Sequence, residues 1–430
     1  MNILLIFIYF IILFYYYNKY YKINEVINPF FLFSIFHFIY NVGIPIEMII
    51  MNDYTLRGMV LGYDNCTKLM IMSILSLIGF AQGFSYSWKI WFFNSKTNDS
   101  NLYVIMFLTF FTIVLLFFHS GVLASGTYEG NVDISAGNPS YKYLIELTQF
   151  YYVVMISYIF NKNQSIIKLI LFLLPLIYWG VYSSDKNPIL LAGIPLVLLL
   201  YKLKYFNSSP IINVFLLFLV ILIIPLLIMK FSLYRADTTE TLYDYLRSSG
   251  LYKSIDARGP MKSLIILLNL DTIDYEYGQT YIKSLFQWIP RSIWKNRPLD
   301  LAQEFAIKHV PNWKPGKGYG YSLLAESYLN FGILGSFIQY YLIGYLLTIF
   351  SKMIDKIIKN EKESSFLNYV LIVFNVALMH RASFILPTLY IRYLIPLFFF
   401  LMFIKNIRIF KRKILIQSPI FKFIKFIKFK

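Results

Sequence analysis

Between positions 290 and 298 the chain reads Pro290-Arg291-Ser292-Ile293-Trp294-Lys295-Asn296-Arg297-Pro298. Two prolines restrict the backbone at either end, so three cations and an indole are held in a short, shaped peptide. A guanidinium is a planar fork that meets a phosphate with two parallel hydrogen bonds, which an ammonium cannot do. Arg291 and Arg297, with Trp294 between them, therefore suit a diphosphate. A glycine-rich approach follows, Gly316-Lys317-Gly318-Tyr319-Gly320-Tyr321-Ser322, and leads to Ala325-Glu326 and then Asn330-Phe331-Gly332 and Gly335. Read as the start of a helix, this places Glu326 at the mouth of a membrane span, with Asn330 one turn deeper on the same face. Glu326 is then either a catalytic or substrate-orienting carboxylate, or a partner for a loop arginine.

Further cations are distributed along the chain. Arg235 in Tyr234-Arg235-Ala236-Asp237 either binds an anionic headgroup or snorkels beside Asp237. Arg258 precedes a Gly259-Pro260 turn and has Asp256 as its nearest alternative partner. Lys186 sits beside Asp185 in a tight turn, where it meets a substrate phosphate or pairs with that acid. Arg392 falls about two turns inside an apolar run; a charge at that depth is costly, so it faces a cavity or snorkels to the surface. His309 is the single histidine of the long polar segment and has the chemistry of a base. The four histidines and one cysteine show no metal-ligand spacing, and Asp271, Asp274 and Glu276 come nearest to a carboxylate set. Neither a metal nor a cofactor is expected.

These groups must be positioned by a membrane-embedded frame. The chain has 430 residues, 58% hydrophobic and 14% charged, against about 45–50% and about 25% in soluble proteins. About eleven apolar runs approach the ~20 residues a helix needs to cross a bilayer: near 2–18, 29–50, 67–87, 101–120, 141–160, 166–184, 187–201, 211–231, 327–350, 366–384 and 385–404. The fold class expected is an all-α polytopic membrane protein with one large extracytoplasmic loop between spans eight and nine. No cleavable signal is apparent at the first span. Residues 1–231 form a bundle of about eight spans, 232–326 the loop, 327–404 the C-terminal spans and 405–430 a basic tail.

Net charge is +18, from 40 basic and 22 acidic residues. Nine lysines and arginines past Ile404, with no acid among them, mark that tail as cytoplasmic, and lysines recur on alternate loops as the positive-inside rule expects. The charge therefore speaks for a membrane and not for nucleic acid. Ser232 to Glu326 carries 12 basic and 10 acidic residues. Its one apolar run, Leu264 to Leu270, is too short to span and reads as a helix at the interface or re-entering the bundle. A loop lying on the membrane suits a substrate with a lipid end and a water-soluble end.

In Pro-Arg-x-x-Trp-x-x-Arg-Pro, in the approach around Gly320-Tyr321-Ser322, and in Ala325-Glu326 followed by Asn330-Phe331-Gly332 and Gly335, the chain resembles the oligosaccharide repeat-unit polymerases, the Wzy or O-antigen polymerase family. Span number and the late dominant loop agree with it. The resemblance implies lipid-linked oligosaccharides as substrates, joined by glycosyl transfer at the outer face of the bacterial cytoplasmic membrane, with undecaprenyl diphosphate leaving. For that reaction the charge developing on the departing diphosphate makes Arg291, Arg297 and Arg235 the candidates for the phosphates, with Glu326 for the acceptor, and leaves room for a chain-length regulator protein as a partner. Ligases that move finished glycan share the layout, and a transporter or flippase of lipid-linked sugars is the reading of another class. Transporters bind near the midplane through broken helices, whereas here the charges gather outside the membrane.

Overall fold

The computed structural model describes residues 2–20, 29–56, 58–85, 106–115, 144–145, 147–156, 251–253, 258–287, 289, 294–311, 313 and 319–357, with scattered positions in 167–178 and 368–384. Four helices are long and apolar enough to cross a membrane: Asn2–Tyr20, Phe30–Met51, Tyr63–Gly83 and Leu323–Lys356. The molecule is thus a mostly helical polytopic membrane protein. Shorter apolar helices at Met106–Leu115 and Leu147–Ile156 lie inside two further expected spans. The spans expected at 187–201, 211–231 and 385–404, and the basic tail, lie outside the described residues.

Helix α1 (Asn2–Tyr20) is apolar all round, as a lipid-facing helix must be. Ile3, Leu4, Phe7, Phe10, Ile11 and Phe14 are exposed while Tyr9, Leu13 and Tyr16 are buried. The second span is built from α2 (Pro29–His37), a π-turn over Phe38–Val42 and α3 (Gly43–Met51). It runs antiparallel to α4 (Tyr63–Gly83): Phe33 stacks on Phe80, His37 bonds Ser76, and Ser73 donates to the carbonyl of Asn41. Asn52 ends α3 in the left-handed region at φ 50°. A two-stranded hairpin follows, β1 (Thr55–Leu56) and β2 (Met59–Val60), turning at Gly58 with φ 77°. This hairpin is a departure from the all-α expectation; its strands are too short to register as a period-two pattern.

The polar loop contributes α5 (Arg258–Leu268), α6 (Gln279–Leu285) and α7 (Leu301–His309), the last capped by Asp300, whose Oδ1 accepts from the amide of Ala302 at 2.8 Å. Of the two positions open to the Leu264–Leu270 run, the structure has α5 packed into the bundle. Met261, Leu264, Ile265, Leu267 and Leu268 are buried, and Asn65 of α4 holds the carbonyl of Leu268 at 3.1 Å.

The final described helix, α8 (Leu323–Ile357), is broken at Phe331 (φ −142°, ψ 23°) and Gly332 (φ 62°, ψ −148°). Thirteen residues of straight helix would separate Glu326 from Gln339 by about 20 Å, yet their side chains bond at 3.2 Å. The segment Leu323–Asn330 therefore folds back beside the run from Ile333 to Ile357, which alone is long enough at ~1.5 Å per residue to cross a ~30 Å core. Glycine makes the reversal possible. Gly332 sits in a region that residues with a Cβ avoid, and a Cβ on Gly335 would stand 2.0 Å from the carbonyl oxygen of Ser327.

Beyond the break α8 lies parallel to α4 at backbone contact. A Cβ on Gly79 would meet the carbonyl oxygen of Phe337 at 2.4 Å, and one on Gly83 that of Tyr341 at 2.1 Å. Gly79 and Gly83 form a Gly-x-x-x-Gly pair, which lets two membrane helices approach closely. Parallel spans begin on the same side of the bilayer.

Candidate functional site

Site geometry begins at the N-terminus of α8. The hydroxyl of Ser322 accepts from the amide of Leu324 at 3.1 Å and so caps the helix. The amide of Ser322 in turn donates to the hydroxyl of Ser263 on α5 at 3.1 Å. Gly320 lies against the Gly259-Pro260 backbone, where an added Cβ would find three atoms at 3.1 Å. Two motifs about sixty residues apart, Arg258-Gly259-Pro260 and Gly320-Tyr321-Ser322, thus meet at the entry to α8.

Glu326, one turn into the folded-back segment, is fully buried. Its Oε2 accepts from Gln339 Nε2 and from the backbone amide of Phe384. Its Oε1 has no hydrogen-bond partner, and the same is true of Gln339 Oε1 and of the phenol oxygens of Tyr281 and Tyr321. Both phenols lie close enough to feel the carboxylate. Burial, and after it Glu326, pushes each well above the usual tyrosine range, so both remain protonated donors. Buried polar groups are almost always paired, and each unpaired one costs roughly 1–3 kcal/mol. Two donors and two acceptors left open around one carboxylate are suited to receive the hydroxyls of a ligand.

Asn330 organises the base of this site. Its Nδ2 donates to Thr280 Oγ1 at 2.7 Å and to the carbonyl of Glu326 at 2.9 Å, while its Oδ1 accepts from the amide of Gly278 at 2.7 Å. Asn330 does share a helical face with Glu326, as the spacing predicts. Its depth is corrected: because the segment folds back, Asn330 sits beside the break, and Glu326 is level with Gln339 along the span. The expectation of an uninterrupted helix from the mouth inward fails because Gly332 and Gly335 remove the side chains that would prevent the reversal.

Other expected residues fall into three groups. Arg297 Nη1 donates to the carbonyls of Gln287 and Ile289 at 2.6 and 2.7 Å, so that nitrogen braces the loop. Gln287 reciprocates by holding the carbonyls of Pro298 and Leu299 at 3.2 and 3.1 Å. Trp294 is part-exposed, edge-on to Phe286 with ring centroids 5.8 Å apart. The backbone of Arg258 opens α5 beside the α8 entry. Arg291, Arg235, Lys186 and Arg392 lie outside the described residues. His309 packs on Phe305 at 4.7 Å, and Phe305 meets Tyr321 at 5.1 Å, so His309 borders the site through an aromatic neighbour. Burial lowers its affinity for a proton. Among the described residues no group of three His, Cys, Asp or Glu is placed to hold a metal ion.

Sequence reasoning passed over Gln339, Thr280, Tyr281 and Tyr321, and also a second carboxylate, Glu47. Both Glu47 oxygens are occupied, by the amides of Leu251 at 2.5 Å and Lys253 at 2.8 Å. Lys253 Nζ reaches Asp53 Oδ2 at 2.6 Å. This clamp fastens the stretch before α5 to the second span. For Gln339 and Glu47 a signal existed, since polar groups inside apolar runs are costly and usually have a purpose. For the tyrosines none did in a chain with 37 of them.

No curated protein and no solved structure matches the chain. Residues 264–413, less than half of the chain, match the family model described as O-antigen polysaccharide polymerase Wzy, and the matched stretch contains Glu326, Asn330 and Gln339.

Proposed function

We propose that this protein joins undecaprenyl-diphosphate-linked oligosaccharide repeat units by glycosyl transfer at the outer face of the cytoplasmic membrane, with Glu326 serving the acceptor hydroxyl. The observation that carries the reading is the buried carboxylate with one open oxygen, inside the segment that matches the polymerase family. In the reaction an acceptor hydroxyl attacks the anomeric carbon of the growing chain. The new C–O bond forms as the bond from that carbon to the diphosphate oxygen breaks, and the lipid diphosphate leaves with the bonding pair. Glu326 Oε1 takes the hydroxyl proton; Gln339 and the amide of Phe384 hold the other oxygen and fix the carboxylate's direction. The phenols of Tyr281 and Tyr321 orient neighbouring sugar hydroxyls.

Charge develops on the departing diphosphate, and fixed guanidinium groups stabilise it in a site sheltered from water. Arg291 and Arg235 are assigned that task, with Arg258, Lys186 and Arg392 as further contacts to the donor and Arg297 and Trp294 shaping the loop that carries Arg291. The test is deletion of the gene followed by sizing of surface glycan. Single repeat units on the surface support a polymerase; long polymer retained on the carrier lipid would show a ligase instead. Restoration of polymer by the wild-type chain, but not by Glu326→Gln at equal protein level, completes the test.

A further inference from the structure

Apart from the Gly278 amide that holds Asn330, the stretch Asp271-Thr272-Ile273-Asp274-Tyr275-Glu276-Tyr277-Gly278 has no part in the site above. Tyr277 has φ 43°. A bulky side chain rarely takes the left-handed region, and it is held there only where the surroundings enforce it. Here they do. The amide of Glu276 donates to the carbonyl of Leu329 at 3.0 Å, and that of Gly278 to Asn330 Oδ1 at 2.7 Å. Both anchors stand just before the break in α8, three and four residues along the chain from Glu326. The strain yields no burial: the residue is 73% exposed, with the ring of Tyr275 6.0 Å away and also exposed.

A turn that needed only this backbone would favour glycine, as at the neighbouring Gly278 with φ 89°. A strained tyrosine directed outward is explained by a ligand for its ring. We propose that Tyr277, with Tyr275 beside it, is a stacking platform for a neutral sugar ring of the acceptor glycan next to the Glu326 site. An aromatic face covers the C–H face of a pyranose while its edge stays wet. The exposed carboxylates of Asp271 and Asp274 on the same stretch accept hydroxyl hydrogen bonds. Glu276 is turned to Lys283 at 3.7 Å.

This inference rests on the polymerase reading and names where that reaction holds its acceptor. The test complements a deletion strain with Tyr277→Phe, Tyr277→Trp, Tyr277→Leu and Tyr277→Gly at matched protein level and sizes the surface glycan. Phe and Trp keep long polymer; Leu and Gly shift it at least several-fold toward short chains. Retention by Leu would make the residue a membrane anchor, and retention by Gly would make it a turn residue only; either outcome overturns the platform. If the wild-type chain itself fails to restore polymer, the polymerase reading falls and takes this one with it. Saturation-transfer NMR of the purified protein with a soluble neutral tetrasaccharide supplies a readout independent of turnover: transfer to sugar protons that disappears in Tyr277→Leu supports stacking, and equal transfer in both refutes it.

Discussion

Glu47 and Glu326 are two carboxylates set into membrane helices, and they have been put to opposite uses. Around Glu47 every oxygen accepts a backbone amide from residues 251–253, so its charge is consumed by structure. Around Glu326 the bonds from Gln339 and from the amide of Phe384 both go to Oε2, Thr280 stands close to the carboxylate, and Oε1 has no hydrogen-bond partner. Full satisfaction rigidifies a fold, whereas incomplete satisfaction in a buried place leaves binding capacity that a substrate can fill. The contrast separates the clamp that fixes the loop from the site proposed for the chemistry.

Removing the charge at Glu326 gives the largest expected effect. Glu326→Gln keeps the shape and an acceptor for the amide of Phe384, so folding persists while polymer formation falls by roughly 10²–10⁴, the range for loss of a general base. Polymer yield at matched protein level, with thermal stability in detergent as control, checks it. A stability loss without an activity loss would make Glu326 a second Glu47.

Glu47→Gln should show the converse. It replaces charge-assisted hydrogen bonds of roughly 1.5–3 kcal/mol, lowering the unfolding midpoint and opening the 251–253 stretch to protease. Activity per folded molecule stays near the wild-type value. A defect in turnover without destabilisation would erase the distinction between the two carboxylates.

Gly335→Ala sharpens the comparison from the backbone side. Its Cβ would stand 2.0 Å from the Ser327 carbonyl oxygen, so the folded-back segment must move off the span at about 1–3 kcal/mol. The Glu326 to Gln339 bond is lost while helix content, read by circular dichroism, barely changes. Full polymerase activity in this variant would mean the fold-back does not matter to the site.

The smallest effect is in pH. The hydrogen bond from Lys253 holds Asp53 below the usual carboxylate range. A lowered folded-state value contributes stability at pH above the ordinary carboxylate value near ~3.9, and that stability is lost as pH falls through the lowered value. Asp53 is half exposed, so screening limits the contribution to about 0–1 kcal/mol. Asp53→Asn should flatten the acid limb of a stability profile slightly; an unchanged limb would assign that limb to other groups.

Membrane class, the early spans and the shared helical face of Glu326 and Asn330 were legible in the residues, because bilayer insertion depends on local apolar runs and a four-residue spacing returns to the same side of a helix. Helix α5 was legible as a short apolar run, though not that it is buried against α4. Four things were decided only by tertiary contact: the reversal at Phe331-Gly332, the pairing of Glu326 with Gln339, the use of Glu47 as a clamp, and the parallel seating of α4 on α8. Each depends on which group, backbone or side chain, arrives from another segment. The glycines at 79, 83, 332 and 335 permit those approaches but do not name the partner. Residue types determine what a segment can bury and what a side chain can donate or accept; the packed chain alone decides which of those capacities are used up and which stay open for a substrate.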